Sequence, residues 1–306
     1  MRIGLAIATF RQDAAVMRLL ERLHQDGADL FERIYVVDSM GSGAIEAHIQ
    51  AMRYEGVVYE NHAENLGSAG NWARRLQLAA NDGLDWCFTV NHDGEIPAET
   101  IQEFIRCVDR LHGEGKSRVG ALYPLRYVPH RSAYDFTGTQ RFSLPFKGLS
   151  APPTGELTGV YWGSSNGSFY NLQAVREGLL PWADLWMGWE DLGYGWLLHQ
   201  AGWEQFIVHS APLTDDREYL DLKAPGVNFT SSDKPAWYAY YSARNWMLVT
   251  RRNRRPLLEY GVIAARLGVE TLVTLGFKES SATRLRYMAK GLQDGLRGQT
   301  GKWIVP

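Results

Sequence analysis

The chain has 306 residues and a formal net charge of −2, with 45% apolar, 22% charged and 12% aromatic residues. This composition is typical of a globular protein of one large or two smaller domains, and it excludes a disordered, collagen-like or coiled-coil protein. The two cysteines, Cys87 and Cys107, exclude a disulfide scaffold and are expected in the core, and no apolar run reaches the 18 or so residues of a membrane span.

The first 125 residues alternate short apolar runs with longer amphipathic ones. Their periods predict strands at 3–8, 34–37, 56–59, 86–90 and 119–123, and helices at 13–25, 44–53, 68–81 and 98–112. This order predicts an α/β fold with a mostly parallel sheet and helices on both faces. Ligands of such sheets bind at the carboxyl ends of the strands, so the residues that follow each strand are the first candidates for a site.

The middle of the chain is less regular. Here the pattern predicts a hairpin or mobile loop at 126–160, two strands around a turn at 159–171, a helix at 189–201, a strand at 205–209 and polar loops at 215–234. These elements complete a first domain of residues 1–232.

A helical extension, residues 233–306, follows, with helices predicted at 236–250, 257–276 and 283–296. From residue 236 onward the chain has twelve Lys and Arg against four Asp and Glu, and its Arg251–Arg255 run lies beside an apolar segment. This favours contact with an anionic membrane surface over nucleic-acid binding, with an oligomer contact as the alternative. Without a signal sequence at the N-terminus, we expect a cytoplasmic protein, peripheral on the inner face of the membrane if the extension binds lipid.

Polar residues follow the predicted strands. Thr9, Phe10 and Arg11 follow the first strand, Asp38 ends the second, and Asn91 begins the Asn91-His92-Asp93-Gly94-Glu95 segment after the fourth. Acids at the end of a buried strand are suited to a divalent cation that bridges protein and phosphate, whereas a helix cap is the alternative, favoured for Glu95.

The segment after the third strand contains Asn65, Gly67, Gly70 and Asn71 at the start of a helix. Unsatisfied N–H groups there would suit a diphosphate, and an ordinary glycine-rich helix cap is the alternative.

Two further candidates occur later in the chain. Asp191, preceded by Glu190, begins a predicted helix among several tryptophans, where it is either a helix cap or a carboxylate base beside an aromatic wall that holds a sugar. His209 ends a strand, where it is either a hydrogen-bonded surface residue or a metal ligand.

Taken in order, these segments resemble the family 2 glycosyltransferases of GT-A fold, particularly the rhamnosyltransferase-like and galactofuranosyltransferase-like members. The matching segments cover most of the chain: 8–11, 36–39, 65–71, the acid after the fourth strand, 189–192, His209, 240–245 and 291–298.

The resemblance implies an inverting transfer of sugar from a nucleoside-diphosphate donor to a hydroxyl of a glycan, glycolipid or lipid-linked acceptor, in the building of a bacterial surface polysaccharide. It implies that the nucleotide is held by Thr9, Phe10, Arg11 and Asp38, and that the ribose and diphosphate are approached by Asn65, Gly67, Gly70, Asn71 and Asn91. The metal ion, Mn²⁺ or Mg²⁺, would be bound by Asp93 and His209. Asp191 with Glu190 would be the base, and Trp162 and Trp189 would line the acceptor site.

One departure from the family concerns the metal. The family has two or three aspartates where this chain has Asn91-His92-Asp93, so the metal affinity is expected to be weaker, or the preference to shift toward Mn²⁺. The reduced triplet also suggests the alternative of a non-catalytic GT-A module that binds a nucleotide or glycan. A Rossmann dehydrogenase is excluded, because ATFRQD stands where G-x-G-x-x-G would follow the first strand.

Overall fold

The computed structural model describes residues 1–26, 30–92, 94, 97–142, 147–215, 220–224, 227–231 and 234–303. The strands are β1 (Ile3–Phe10), β2 (Arg33–Ser39), β3 (Val57–His62), β4 (Trp86–Asn91), β5 (Val119–Val128), β6 (Ala133–Asp135), β7 (Gly148–Leu149), β8 (Leu157–Gly159), β9 (Ser168–Asn171), β10 (Glu204–Thr214), β11 (Leu220–Ala224) and β12 (Val227–Ser231). The α-helices are α1 (Asp13–Asp26), α2 (Ala44–Met52), α3 (Gly67–Asn81), α4 (Ala98–Gly113), α5 (Leu172–Arg176), α6 (Glu190–Gln200), α7 (Tyr238–Arg252), α8 (Leu257–Phe277) and α9 (Ser281–Arg297).

One large sheet organises the fold, in the order β3-β2-β1-β4-β9-β5-β10-β8. The pairs β3–β2, β2–β1, β1–β4 and β5–β10 are parallel, whereas β9 and β8 are antiparallel to their neighbours. The predicted α/β fold with a mostly parallel sheet is therefore confirmed. The carboxyl ends of β1, β2, β3 and β4 lie along one edge, as the βα order requires.

The core has two layers because the side chains of each strand alternate between the faces of the sheet. On one face, Leu5 and Ile7 of β1 pack with apolar residues of α1 and α4. On the other face, Ala6 packs with residues of α3, α5 and α6. Cys87 and Cys107 are buried and free, as expected, and burial raises the pKa of the Cys87 thiol to about 12.

Several predictions for the middle of the chain were wrong or incomplete. The segment 159–171 is not two strands around a turn: β8 pairs with β10, β9 inserts between β4 and β5, and the residues between them are irregular. The predicted polar loops at 215–234 contain the antiparallel hairpin β11–β12. Alternating apolar residues in LDLKA and VNFTS, around Pro225-Gly226, were the available signal for this hairpin.

The three predicted C-terminal helices are present as α7, α8 and α9. Gly291 and Gly295 of α9 allow close packing on α7, because a Cβ at either position would collide with the backbone of Tyr240 or Arg244. Helix α8, which Arg266 and Glu270 interrupt, is long and apolar enough to cross a membrane by length and composition alone, with a mean hydropathy of 1.3 over its window, 17% of which is buried.

Candidate active site

The ends of three neighbouring strands form a polar rim. Thr9 of β1 is paired in the parallel register with Asp38 of β2, and Asn91 ends β4 on the other side of β1. Residues paired in this way point to the same face of a sheet, so Thr9 and Asp38 lie side by side. Three of the residues predicted to bind the nucleotide therefore share one edge.

Two buried oxygen atoms in this rim lack a partner in the described part of the chain. Asp38 is fully buried, and its Oδ2 accepts a hydrogen bond from the Tyr59 hydroxyl at 3.0 Å, but its Oδ1 accepts none. The Oγ1 of Thr9, a residue only 3% exposed, is likewise unpartnered. Burial raises the pKa of Asp38. Because buried polar atoms are normally satisfied, these two oxygens are suited to a ligand that supplies hydrogen-bond donors.

A loop after β2 closes over Asp38. A Cβ at Gly41 would collide with Oδ2 of Asp38, so only glycine fits there. The Asn61 side chain accepts from the Gly41 N–H and donates to the Gly41 carbonyl, both at 3.1 Å. Sequence reasoning missed Gly41 and Tyr59, whereas Asn61 begins the candidate segment 61–71 that follows the third strand. The available signal was Asn61 at the end of the third strand, which the register places opposite Asp38.

Phe10 and Arg11 lie at the exposed end of this rim. The Arg11 guanidinium lies 5.2 Å from the centroid of the Phe10 ring, and both side chains are exposed. Arg11 has a φ of +54°, a left-handed conformation that is uncommon for a residue other than glycine.

The start of α3 is engaged by the protein itself. The N–H of Gly67 donates to Oδ1 of Asn65 at 2.9 Å, and the N–H of Ala69 donates to the carbonyl of Trp186 at 3.1 Å. A Cβ at Gly67 would collide with that carbonyl. Asn71 is buried and donates to the carbonyl of Val37 at 2.8 Å. The segment therefore joins the rim to the turn that precedes α6.

Gly70 is also on this helix and packs at its surface. A Cβ there would lie 3.3 Å from the Cβ of Leu66 and 3.9 Å from that of Ala183. This glycine thus also faces the segment that leads to α6.

Glu190 begins α6 after two residues with positive φ, Gly188 at +87° and Trp189 at +66°. Its Oε1 accepts a hydrogen bond from the Ser68 hydroxyl of α3, whereas its buried Oε2 has no partner within the described residues. Burial, and then the negative charge of Asp191, raise the pKa of Glu190 to about 7. Glu190 therefore changes its charge near neutral pH.

Asp191 lines a cavity of about 170 Å³. Its Oδ1 accepts a hydrogen bond from the Ser165 N–H at 3.0 Å. The other lining residues are Tyr123, Pro124, Arg126, Asp135, Thr137, Gly138, Trp162, Gly163, Ser164 and Ile207. Of the two predicted acceptor residues, Trp162 lines this cavity together with Asp191.

Two glycines bring the walls of this cavity together. A Cβ at Gly163 would collide with the ring of Tyr123, and a Cβ at Gly195 of α6 would collide with the backbone of Trp162. The second turn of α6 can therefore lie directly against Trp162, and the bond from the Ser165 N–H to Asp191 holds the first turn against the same segment.

The cavity and the rim meet at one residue. Asn166 accepts a hydrogen bond from the Asn91 N–H through its Oδ1 at 3.0 Å, and its carbonyl accepts one from the Arg126 guanidinium at 2.6 Å. Arg126 is 7% exposed and lines the Asp191 cavity. A short segment thus separates the strand-end rim from Asp191. Sequence reasoning missed Arg126, because nothing in its local pattern marked it.

Trp189 does not line the Asp191 cavity. Its ring stacks on Trp246 with centroids 4.7 Å apart, and its Nε1 donates to the carbonyl of Ser242 at 2.9 Å. It lines a second cavity, of about 190 Å³, among residues of α7, α8 and α9.

His209 does not line the cavity that contains Asp191. One ring nitrogen is hydrogen-bonded to the Thr158 hydroxyl and the other to the carbonyl of Gly155, each at 2.8 Å, and His209 lines a different cavity beside α4. Asp93 lies outside the described residues. Among those that are described, no three His, Cys, Asp or Glu side chains are grouped so that they could hold a metal ion. Both ring nitrogens of His209 are engaged by protein groups, so His209 would have to release one of these partners to bind a cation, and the metal pair of Asp93 and His209 stays a prediction.

One buried side chain of α7 holds the turn that leads to Glu190 and Asp191. The Nδ2 of Asn245 donates to the carbonyls of Leu185 at 2.8 Å, Met187 at 2.6 Å and Gly188 at 3.1 Å. Arg244 donates to the carbonyl of Leu185 as well, at 2.7 Å. Both side chains are fully buried, so the helical extension takes part in shaping the site.

The raised pKa of Glu190 gives a testable pH dependence. A carboxyl group with a pKa of about 7 when folded, against its ordinary 4.5, stabilises the protein most below about pH 4.5, and this contribution is lost as the pH rises to about 7. Glu190→Gln cannot ionise, so we expect its free energy of unfolding to exceed that of the wild type by about 1–3 kcal/mol at about pH 8. Urea unfolding of both proteins at about pH 5 and pH 8 measures this, and an equal difference at the two pH values would contradict it.

Comparisons with known proteins support the fold. No protein-family model and no curated protein matches the chain. Among solved structures, TarS 1-349 of S. aureus is similar with a TM-score of 0.57 and 13% identity over 96% of this chain and 81% of that one. The mannosyltransferase PcManGT from Pyrobaculum calidifontis, in complex with GDP-Man and Mn²⁺, gives 0.55 and 13% over 96% and 87%.

A third similar structure is GalNAc-T7 with UDP, GalNAc and Mn²⁺, with a TM-score of 0.54 and 11% identity over 70% of this chain and 42% of that one. These neighbours do not distinguish a rhamnosyltransferase-like or galactofuranosyltransferase-like subgroup. The sheet order, the helices on both faces and these likenesses together establish that the chain has the GT-A fold.

Proposed function

We propose that this chain is a glycosyltransferase that transfers a sugar from a nucleoside-diphosphate donor to a hydroxyl of a glycan or glycolipid acceptor. The observation that carries the proposal is that two different sites, far apart along the chain, are connected by the hydrogen bonds of one residue. The rim with the unpartnered oxygens of Thr9 and Asp38 and the cavity that contains Asp191 are joined through Asn166.

The rim is suited to the nucleotide. A nucleobase has N–H groups in the plane of its ring, and Oδ1 of Asp38 and Oγ1 of Thr9 are acceptors that lack a donor in the described chain. Phe10 offers an exposed ring for stacking, and Arg11 beside it offers a cation. The segment of Asn65, Gly67, Gly70 and Asn71 contacts β2 through the bond from Asn71 to the Val37 carbonyl, and we propose that the ribose and the diphosphate bind beside it.

Asp191 is suited to be the base. A sugar hydroxyl has a pKa far above neutrality, so its proton must be removed as the oxygen attacks the anomeric carbon. Oδ1 of Asp191 is held by the Ser165 N–H, and the carboxylate lines a cavity with Trp162, whose ring can cover the apolar face of a sugar. With one base and no enzyme nucleophile, the acceptor oxygen displaces the nucleoside diphosphate directly, and this displacement inverts the anomeric centre.

Glu190 and Arg126 complete the proposed chemistry. Glu190 precedes Asp191, and burial and the negative charge of Asp191 raise the pKa of Glu190 to about 7, so we propose that Glu190 limits the negative charge beside the cavity by keeping its proton below about pH 7. The Arg126 guanidinium lines the same cavity and forms an ion pair with Asp215 at 4.0 Å, and we propose that it offsets part of the negative charge that develops on the leaving diphosphate. A Mn²⁺ or Mg²⁺ ion held by Asp93 and His209 would supply the same kind of charge, but no step above depends on it.

A binding experiment tests the donor site. We expect one of UDP, dTDP, GDP and ADP to raise the melting temperature of the protein, measured with and without Mn²⁺. Asp38→Asn places an amide group where the nucleobase would donate a hydrogen bond, so we expect it to weaken the binding of that nucleotide about 10- to 100-fold. Asp135→Asn is the matched control, because Asp135 lines the Asp191 cavity instead of the rim. Equal affinities in wild type and Asp38→Asn would contradict the assignment.

A further inference from the structure

One long helix of the extension leaves an apolar face uncovered. The large apolar side chains on this face of α8 are between 49% and 86% exposed. They are Leu257, Leu258, Val269, Leu272 and Leu275. A contiguous exposed patch of this kind is uncommon on a monomeric soluble domain and marks a contact surface.

The exposed face of α8 contains no polar side chain. Its remaining exposed positions are Gly261, Ala264, Ala265, Gly268 and Gly276. A Cβ at any of these three glycines would meet nothing within 4 Å, so nothing in the described chain covers the face. The apolar strip is therefore continuous over the 21 residues of the helix.

The opposite face of α8 is charged and bound to protein. Glu259 is fully buried and forms an ion pair with Arg255 at 3.0 Å, and Glu270 pairs with Lys278 at 2.8 Å. The Arg266 guanidinium lies over the rings of Trp246 and Trp189, at 4.9 and 5.6 Å. A helix whose charged side chains are paired with other parts of the protein cannot be surrounded by lipid. The length and composition of α8 fit a membrane span, but the helix is therefore suited to lie on a membrane rather than across it.

The charge of the extension decides between a lipid surface and a second copy of the chain. From residue 236 onward there are twelve Lys and Arg against four Asp and Glu. Arg251 and Arg254 are exposed just before α8, and Arg286 and Arg297 are exposed on α9, which packs beside it. Two copies meeting through this region would bring like charges together, whereas an anionic bilayer neutralises them.

We propose that α8 lies in the interface of an anionic phospholipid membrane, with its exposed apolar face toward the acyl chains and the nearby arginines at the headgroups. The helix packs on α7, which carries Asn245 and thereby the turn before Glu190 and Asp191. The membrane surface would thus lie one helix away from that turn. The inference does not depend on sugar transfer.

Co-sedimentation with vesicles tests this inference. The full chain is mixed with vesicles of phosphatidylcholine alone or of phosphatidylcholine with phosphatidylglycerol, and binding is expected mainly to the second. Replacing Leu258, Leu272 and Leu275 by Glu should weaken that binding at least about 10-fold, because three apolar contacts are lost and three negative charges are added. The pair Arg251→Gln and Arg254→Gln should weaken binding to the anionic vesicles by about 10-fold as well.

A charge-matched control separates the face from the net charge. Gln50→Glu, Gln77→Glu and Gln102→Glu add the same three charges at exposed positions of α2, α3 and α4, and should bind like the wild type. Circular dichroism and thermal unfolding establish that each variant is folded. Equal vesicle binding by the α8 variant and this control would overturn the proposal. It would also be overturned if the wild type did not bind vesicles and formed a dimer in sedimentation velocity that the α8 substitutions dissociate.

Discussion

Asp191→Asn should lower the turnover number for sugar transfer by about 10²- to 10⁴-fold and leave donor affinity within about twofold. The amide keeps an oxygen that accepts from the Ser165 N–H, so the first turn of α6 should be preserved. It cannot take a proton from the acceptor hydroxyl, and the loss should therefore appear in the turnover number. The measurement is the rate of nucleoside-diphosphate release with saturating donor and acceptor.

Asp135→Asn is the control for this change, since Asp135 is a second carboxylate in the same cavity. Its Oδ1 accepts from the Thr137 N–H at 2.8 Å, and the amide can keep that bond, so turnover should fall by less than about tenfold. An active Asp191→Asn together with an inactive Asp135→Asn would move the base to Asp135.

Asn245→Ala should lower both the stability and the turnover number. The change removes the donor for the carbonyls of Met187 and Gly188, whereas the Leu185 carbonyl keeps its bond from Arg244. Leaving these two carbonyls and the buried Nε of Arg244, which donates to Oδ1 of Asn245, without their partners should reduce the free energy of unfolding by about 2–4 kcal/mol. Because these carbonyls belong to the turn that leads into α6, the turnover number should fall more than donor affinity does. Urea unfolding and steady-state kinetics on the same preparation measure the two effects.

Ser242→Ala provides the comparison on the same helix. Ser242 is half-buried and lies one turn before Asn245. The Trp189 side chain donates to the backbone carbonyl of Ser242, which alanine keeps, so this variant should have wild-type stability and kinetics. If Asn245→Ala lost stability but kept its turnover number at a temperature where it is folded, the side chain would not position Asp191.

Local pattern predicted the first half of the fold well, since each βα unit there has a clear period and short connections. The bounds of α3 and α4 were predicted to within one residue. The insertion of β9 between β4 and β5 could not be predicted, because four residues cannot specify which distant strands they will join. The hairpin β11–β12 had a local signal, the alternation around Pro225-Gly226, that the abundance of polar residues obscured.

The site divides in the same way. Thr9 and Asp38 could be placed together from sequence because parallel strands end at one edge of a sheet. The role of Asn245 could not, because its hydrogen bonds join residues that lie 57 to 60 positions apart. The same holds for Arg126, whose bond to Asn166 spans 40 positions. Trp162 and Trp189 had the same predicted role, yet they line different cavities. Long-range contacts decide which cavity each one lines, so the sequence pattern could not distinguish them.

The most direct test of sugar transfer follows the anomeric proton by NMR. UDP-, dTDP- and GDP-sugars are each incubated with the protein and a panel of simple alkyl glycosides. We predict that the anomeric signal of one donor declines only when an acceptor is present, while a product signal of the opposite anomeric configuration grows. A donor signal that stays constant with every acceptor, although its nucleotide binds, would instead identify a nucleotide-binding module without transferase activity.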